Sequence, residues 1–233
     1  MITTRKQARV AGLLYFLLGI SAPIGLMYVP GKLYVAGNAT ATADRIRASE
    51  SLLRLGIATE LFHQVVVIFL VLALYRLFKA VNESLARQVV ILGALVSVPI
   101  MFVNVLNEVA ALMLVGGASF LDVFTKAQLD ALAFLFWRLH DKGIDVAAIF
   151  WGLWLFPFGA LVIRSGFIPR VFGYLMIVAG IAYLAASTAS LCFPHYAHAV
   201  GQVAGLLELG EVPIIFWLLI WGARGPRANE PIN

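Results

Sequence analysis

One cysteine, Cys192, stands in the whole chain. An intrachain disulfide and any multi-cysteine metal centre are therefore excluded. Charge is scarce as well: only 12% of the 233 residues are Asp, Glu, Lys or Arg, against 62% hydrophobic. Soluble domains carry roughly 25% charged and about 45–50% apolar residues. A water-soluble core of this size could not bury so much apolar surface, so lipid is the expected solvent. The chain also lacks a G-x-S-x-G elbow and a P-loop glycine run, which removes the usual signatures of serine hydrolases and nucleotide binders. It shows no internal repeat and no low-complexity tract. Its net charge of +5 comes from cations at the ends of apolar runs, not from a patch. That placement is a topology signal and excludes nucleic acid as a partner.

What is present is a series of six apolar runs, at about 8–29, 55–78, 88–114, 144–164, 168–191 and 200–222. Each is close to the roughly 20 residues that a spanning helix needs. Backbone hydrogen bonds must close within each segment in lipid, so the predicted fold is an all-α bundle of six transmembrane helices. The first run is too long for the roughly 7–15-residue core of a signal peptide and is read as an uncleaved span. Residues 1–222 form one domain in this reading, and 223–233 a short disordered tail. Six spans put both termini on one side of the membrane. Ten of the seventeen Lys and Arg residues fall on that side, close to span ends, so both termini are expected to be cytoplasmic.

Two longer outer loops have helical character. The stretch "ATADRIRASESLLRLGIATE" (41–60) is expected to extend the second span outward. The stretch "TKAQLDALAFLFWRLHDKG" (125–143) reads either as an interfacial helix on the outer leaflet or as a partly embedded loop. Pro23, Pro99, Pro157 and Pro213 fall inside spans and invite kinks. "GQVAG" (201–205) is a small-residue motif that predicts close helix packing.

The segment "FWGLWLFPFGALVIRSGFIPRVFGYLMIVAGIAYLA" (150–185), with "LYRLFKAVNESLA" (74–86) and "ARVAGLLYFLLGI" (8–20), resembles a bacterial membrane family catalogued as domain of unknown function 4386. The turn "RSGFIPRVFG" is the most specific piece, with Pro169 opening the fifth span. The resemblance covers nearly the whole chain. It implies six spans and a multi-pass protein of the bacterial inner membrane, and it brings no catalytic residue with it.

Chemistry, if there is any, should reside in the ionisable groups inside the spans, because a charge at the bilayer centre is costly and is usually kept for function. Four glutamates qualify, Glu60, Glu108, Glu208 and Glu211, together with His63. At about 1.5 Å rise per residue they all fall in the outer half of the bundle. Glu60 and His63 are i, i+3 neighbours, as are Glu208 and Glu211, and Asn104 is one turn from Glu108. The second, third and sixth spans are thus expected to line one outward-facing pocket. Its floor would be Glu208 and Glu211, its wall Glu108 with Asn104, and its mouth Glu60 with His63.

Three functions remain open on these residues. A carboxylate-lined pocket suits small-ligand or proton binding and transport. A Glu-x-x-His pair with further carboxylates suits a divalent metal on Glu60, His63, Glu108, Glu208 and Glu211, and with it a metal-dependent membrane enzyme. His195 and His198 in "CFPHYAHAV" would cap such a site, and Ser187, Thr188 and Ser190 could face it. Carboxylates paired singly with Tyr, Trp or Asn would instead serve structure or a partner. The partners expected are the lipid bilayer and an unidentified small ligand, with a homo-oligomer left open.

Overall fold

Helices make up almost all of the computed structural model, which describes residues 2–223. Residues 224–233 of the expected tail, with its arginines, lie outside the described residues, while Ala223 is buried. In chain order the helices are α1 (Thr4–Leu33), α2 (Ala39–Ala48), α3 (Glu50–Phe78), α4 (Glu83–Val115), α5 (Lys126–Ser165), α6 (Arg170–Cys192) and α7 (Pro194–Ile220). All but α2 are long and apolar enough to cross a membrane. No strand occurs among the described residues.

The helix boundaries follow from local chemistry. Asn38 caps α2 by accepting the Ala41 amide, and Asn82 caps α4 by accepting that of Leu85. Thr125 and Gln128 form a reciprocal capping box at the start of α5. Gly166, at φ +69°, ends that helix in the left-handed region before Pro169 opens the next.

Four sequence expectations need correction. The segment 125–143 is neither an interfacial helix nor a loop, because α5 runs unbroken for 40 residues from Lys126. Gly143 alone does not break a helix whose inner face, Asp130, Ala133, Trp137 and His140, is buried. "CFPHYAHAV" is likewise not a loop: Pro194 sits in the first turn of α7, where its missing amide costs nothing. Gly201 and Gly205 mark no close packing in the chain, since an added Cβ at either would meet nothing within 4 Å. The segment 41–60, for its part, divides at Ser49 into α2 and the outward start of α3.

Prolines account for the irregular turns. Pro30, Pro99 and Pro213 cannot bond the carbonyls four residues earlier, those of Leu26, Leu95 and Leu209. In each case that carbonyl lies in a non-α turn: π-turns at Ile24–Tyr28 and Ile91–Val96, and a 3₁₀ turn at Leu209–Glu211. Pro157 is accommodated without such a turn inside α5.

Arg9 Nη2 donates to the Ile220 carbonyl at 3.0 Å, so the described chain ends meet at one end of the bundle. The opposite end carries α2. Two apolar clusters divide the interior. The larger, at the chain-end side, includes Leu18, Val66, Val98 and Trp154. The smaller lies beneath α2 and includes Val29, Leu53, Ala111 and Trp137. On α1, α3, α4 and α5 alike, buried polar or small residues lie between the two clusters: Ser21 and Gly25, Glu60 and Gln64, Asn104 and Glu108 (beside Met101 and Val105), and His140. A polar layer therefore crosses the bundle between two oily ones.

An ion network fastens α2 over this end. Arg47 pairs with the buried Asp130, and Lys126 bridges Asp130 and Asp44 at 2.8 and 3.0 Å. The Lys126 ammonium hydrogen-bonded to Asp44 holds its carboxyl below the ordinary value of 3.8. A depressed folded pKa contributes stability above the unfolded value and loses it as pH falls through the folded one. Acidification below about pH 3.8 is thus expected to lower the protection of α2 amides, relative to their intrinsic exchange rate at the same pH, before that of α3 and α6. An α2 protection factor unchanged between pH 5 and 3 would contradict this. The effect should be small, since Asp44 is exposed.

Candidate functional site

Four helices each contribute to the polar layer. Glu60 of α3, Glu108 of α4 and His140 of α5 are 3%, 1% and 2% exposed. One ligand atom from each lies within 4.8 Å of the others. His140 Nε2 and Glu60 Oε2 are 3.1 Å apart. Asn104, one turn from Glu108, donates from Nδ2 to the His140 carbonyl at 2.9 Å and accepts from Asn107 at 3.1 Å. That bond fixes the register of α4 against α5. It requires Gly143, since a Cβ there would collide with the Asn104 amide.

A glycine also sets the approach of α1. Gly25, in the π-turn, faces Glu60, and a Cβ at Gly25 would fall 2.9 Å from Glu60 Cγ. A small cavity opens here, lined by Ser21, Gly25, Glu60, His63, Gln64 and Trp151 among others. His63 Nδ1 is 2.8 Å from Ser21 Oγ, and Trp151 Nε1 donates to Ser97 Oγ at 2.9 Å.

The electrostatic accounts of this layer do not close. Both oxygens of Glu108, Oε1 of Glu60 and Oε1 of Gln64 are buried without a hydrogen-bond partner. Among the described residues, no Lys or Arg forms an ion pair with Glu60 or Glu108, and His140 is the one basic partner of Glu60. A buried carboxylate without donors loses several kcal/mol of solvation. Such a pair persists only if a proton or a cation compensates it.

The structure thus brings Glu60, Glu108 and Asn104 together and places His63 across the cavity. It puts Glu208 and Glu211 elsewhere. Glu211 accepts a bond from the Tyr15 hydroxyl and lies near Tyr183, between α1, α6 and α7. Glu208 is half-buried beside it. The predicted floor of the pocket is therefore a second polar cluster, away from the first. His195 and His198 are exposed on the first turns of α7 and cap nothing. Ser190 bonds Asp145 and Lys142, tying α6 to α5, while Ser187 is buried on α6.

Neither an interfacial helix nor a partly embedded loop over 125–143 would place His140 in a spanning segment, so sequence reasoning misses it. The signal was present in spacing: Ala133, Trp137 and His140 stand at i, i+4 and i+7 and share one helix face. Reading the fourth span as beginning near Lys126 would have turned His140 inward.

Comparison with known proteins adds a lineage. The chain is 28% identical over 152 residues to an uncharacterized protein of Archaeoglobus fulgidus, covering 62% of this chain and 84% of that protein. No solved structure matches it. Residues 10–222, nearly the whole six-helix bundle, match the family described as Domain of unknown function (DUF4386), and the chain belongs to that family.

Proposed function

We propose that the protein binds a divalent transition metal within the membrane, through Glu60, Glu108 and His140. The observation that carries this reading is the set of three buried carboxylate oxygens with no donor, gathered around one imidazole. Carboxylate oxygen and imidazole nitrogen together suit zinc, manganese or iron. A single cation would satisfy all three residues at once, which no arrangement of protons does as fully. Chain orientation belongs to the same proposal. With the Lys and Arg excess at the chain-end side, that side faces the cytoplasm of a bacterial inner membrane, and the metal lies toward the outer face.

Metal analysis of the purified protein in mild detergent tests the reading. After chelation and reloading with zinc, manganese or iron, we expect about one ion per chain. Glu108→Gln and His140→Ala should lose it while keeping the helical circular-dichroism spectrum. A chain that binds none of these ions would overturn the proposal. A second reading, proton or small-ligand binding and transport, draws on the hydrogen bond that Glu60 and His140 already share. It predicts no metal, but a loss of proton uptake in Glu60→Gln on transfer from detergent to sealed vesicles with an imposed pH gradient.

A further inference from the structure

The walls of the cavity beside Gly25 offer lone pairs. Glu60 divides its two oxygens: Oε2 faces His140, and Oε1 lies toward Gly25, 3.7 Å from a Cβ placed there. That Oε1 is buried without a donor, and so is Oε1 of Gln64, one turn further along α3 and 2% exposed. With the Ser21 hydroxyl donating to the Leu18 carbonyl, His63 Nδ1 must carry the proton of its 2.8 Å contact with Ser21 Oγ. Nε2 of the neutral ring is then a third acceptor.

The π-turn of α1 supplies two more. In it the Val29 amide goes to the Ile24 carbonyl, so the Gly25 carbonyl loses its usual helical donor. Pro30, next in line, has no N–H to give to either Gly25 or Leu26. Both of these residues line the cavity, as do Glu60, His63 and Gln64. The indole N–H of Trp151, a donor on the same wall, is already spent on Ser97.

The space has room for about one water. A water has only two hydrogens to give, so it would leave most of these acceptors unmet, and an unmet buried acceptor is costly. An anion would meet only repulsion. A cation can be shared by all five. Four of them belong to neutral groups and one to a carboxylate, so a single positive charge balances the site. Carboxylate and carbonyl oxygens favour a hard ion. Sodium is hard, singly charged and, once dehydrated, smaller than water. Broken membrane helices hold sodium in the same manner, through carbonyls that an irregular turn releases.

We infer that this cavity is a sodium site, formed by Glu60, His63, Gln64 and the carbonyls of Gly25 and Leu26. The ion ties the irregular turn of α1 to α3. The inference does not rest on the divalent-metal reading, with which it shares only Glu60. Two cations on one carboxylate repel, so each weakens the binding of the other by the same factor.

Equilibrium dialysis of the chelated, metal-free protein against radioactive sodium, with choline as the balancing cation, is the test. Saturable uptake of about one sodium per chain is expected. Gln64→Leu should weaken it at least ten-fold and leave zinc uptake as in the wild type. Gln64→Glu, which keeps an acceptor oxygen and adds a charge, should bind sodium more tightly, and it serves if the leucine variant does not fold. Sodium affinity unchanged in every folded Gln64 variant would overturn the inference by placing the ion elsewhere. Wild-type protein without saturable sodium uptake would overturn it outright, and one zinc per chain in the same sample would leave the metal-binding reading standing. Sodium uptake that responds to Gln64, in a chain that takes up no zinc, manganese or iron, would support the inference and remove that reading instead.

Discussion

Metal-free Glu108→Leu should be more stable than the metal-free wild type, by about 1–4 kcal/mol, the range seen when buried ionic groups give way to apolar ones of similar volume. The sign follows from the accounts at Glu108, which is 1% exposed with neither oxygen hydrogen-bonded. Removing such a carboxylate relieves an uncompensated cost, where removing a bonded partner would create one. Saturating metal should reverse the order. An ion that binds only the folded wild type adds about 4 kcal/mol at a thousand times its dissociation constant, while the leucine variant gains nothing. Unfolding in mixed micelles, followed by circular dichroism with and without chelator, reads both arms. A leucine variant less stable than wild type under chelation would mean that Glu108 holds the bundle together, and the site would then be structural.

The second large effect is expected at the contact between α5 and α6. Gly152 and Gly159 on α5 face Gly180 and Gly173 on α6 in two reciprocal pairs. A Cβ at Gly159 would lie 2.7 Å from the Gly173 carbonyl oxygen, and one at Gly173 would lie 2.6 Å from that of Gly159. The other pair repeats this at 2.7 and 2.8 Å. Seven residues separate the glycines on each helix, two turns, so both contacts fall along one seam. Between helices in lipid the hydrophobic effect supplies no drive, and close backbone approach supplies the packing instead.

The obstacle to a side chain here is backbone, which cannot rotate out of the way. Gly159→Ala is therefore expected to cost about 1–3 kcal/mol, the usual range for overpacking, and Gly159→Leu to part the helices and abolish the folded yield. Steric trapping or denaturant titration in micelles would measure the first, and recovery from the membrane the second. Gly159→Ala should leave metal stoichiometry unchanged, because Gly159 lies beside Phe158 of the chain-end cluster, about five turns along α5 from His140. An alanine variant as stable as wild type would contradict the close approach.

These two predictions separate what was legible from what was not. The count of spans, the membrane as solvent and two of the irregular turns were in the sequence. Each depends on composition or on a residue's own backbone chemistry, as with Pro99 and Pro213. The four intramembrane glutamates were equally visible, because the cost of a charge in lipid depends on depth, and depth follows from position in the run.

Their grouping was not visible. Glu60 and Glu108 meet, while Glu211 turns to Tyr15, because each helix has an azimuth set by its packing against neighbours distant in sequence. A rotation of about 100° per residue carries a side chain from the core to the lipid without altering any composition. Gly25 and Gly143 decide how near α1 and α4 approach Glu60 and His140, and nothing local marks them apart from Gly201 and Gly205, which face open space. His140 depended on the continuity of α5, which its buried face sustains past the polar stretch 138–145. The sequence alone thus determined a six-helix membrane protein with costly acids inside it. Tertiary packing decided which of those acids face one another, since convergence is a property of several helix rotations at once.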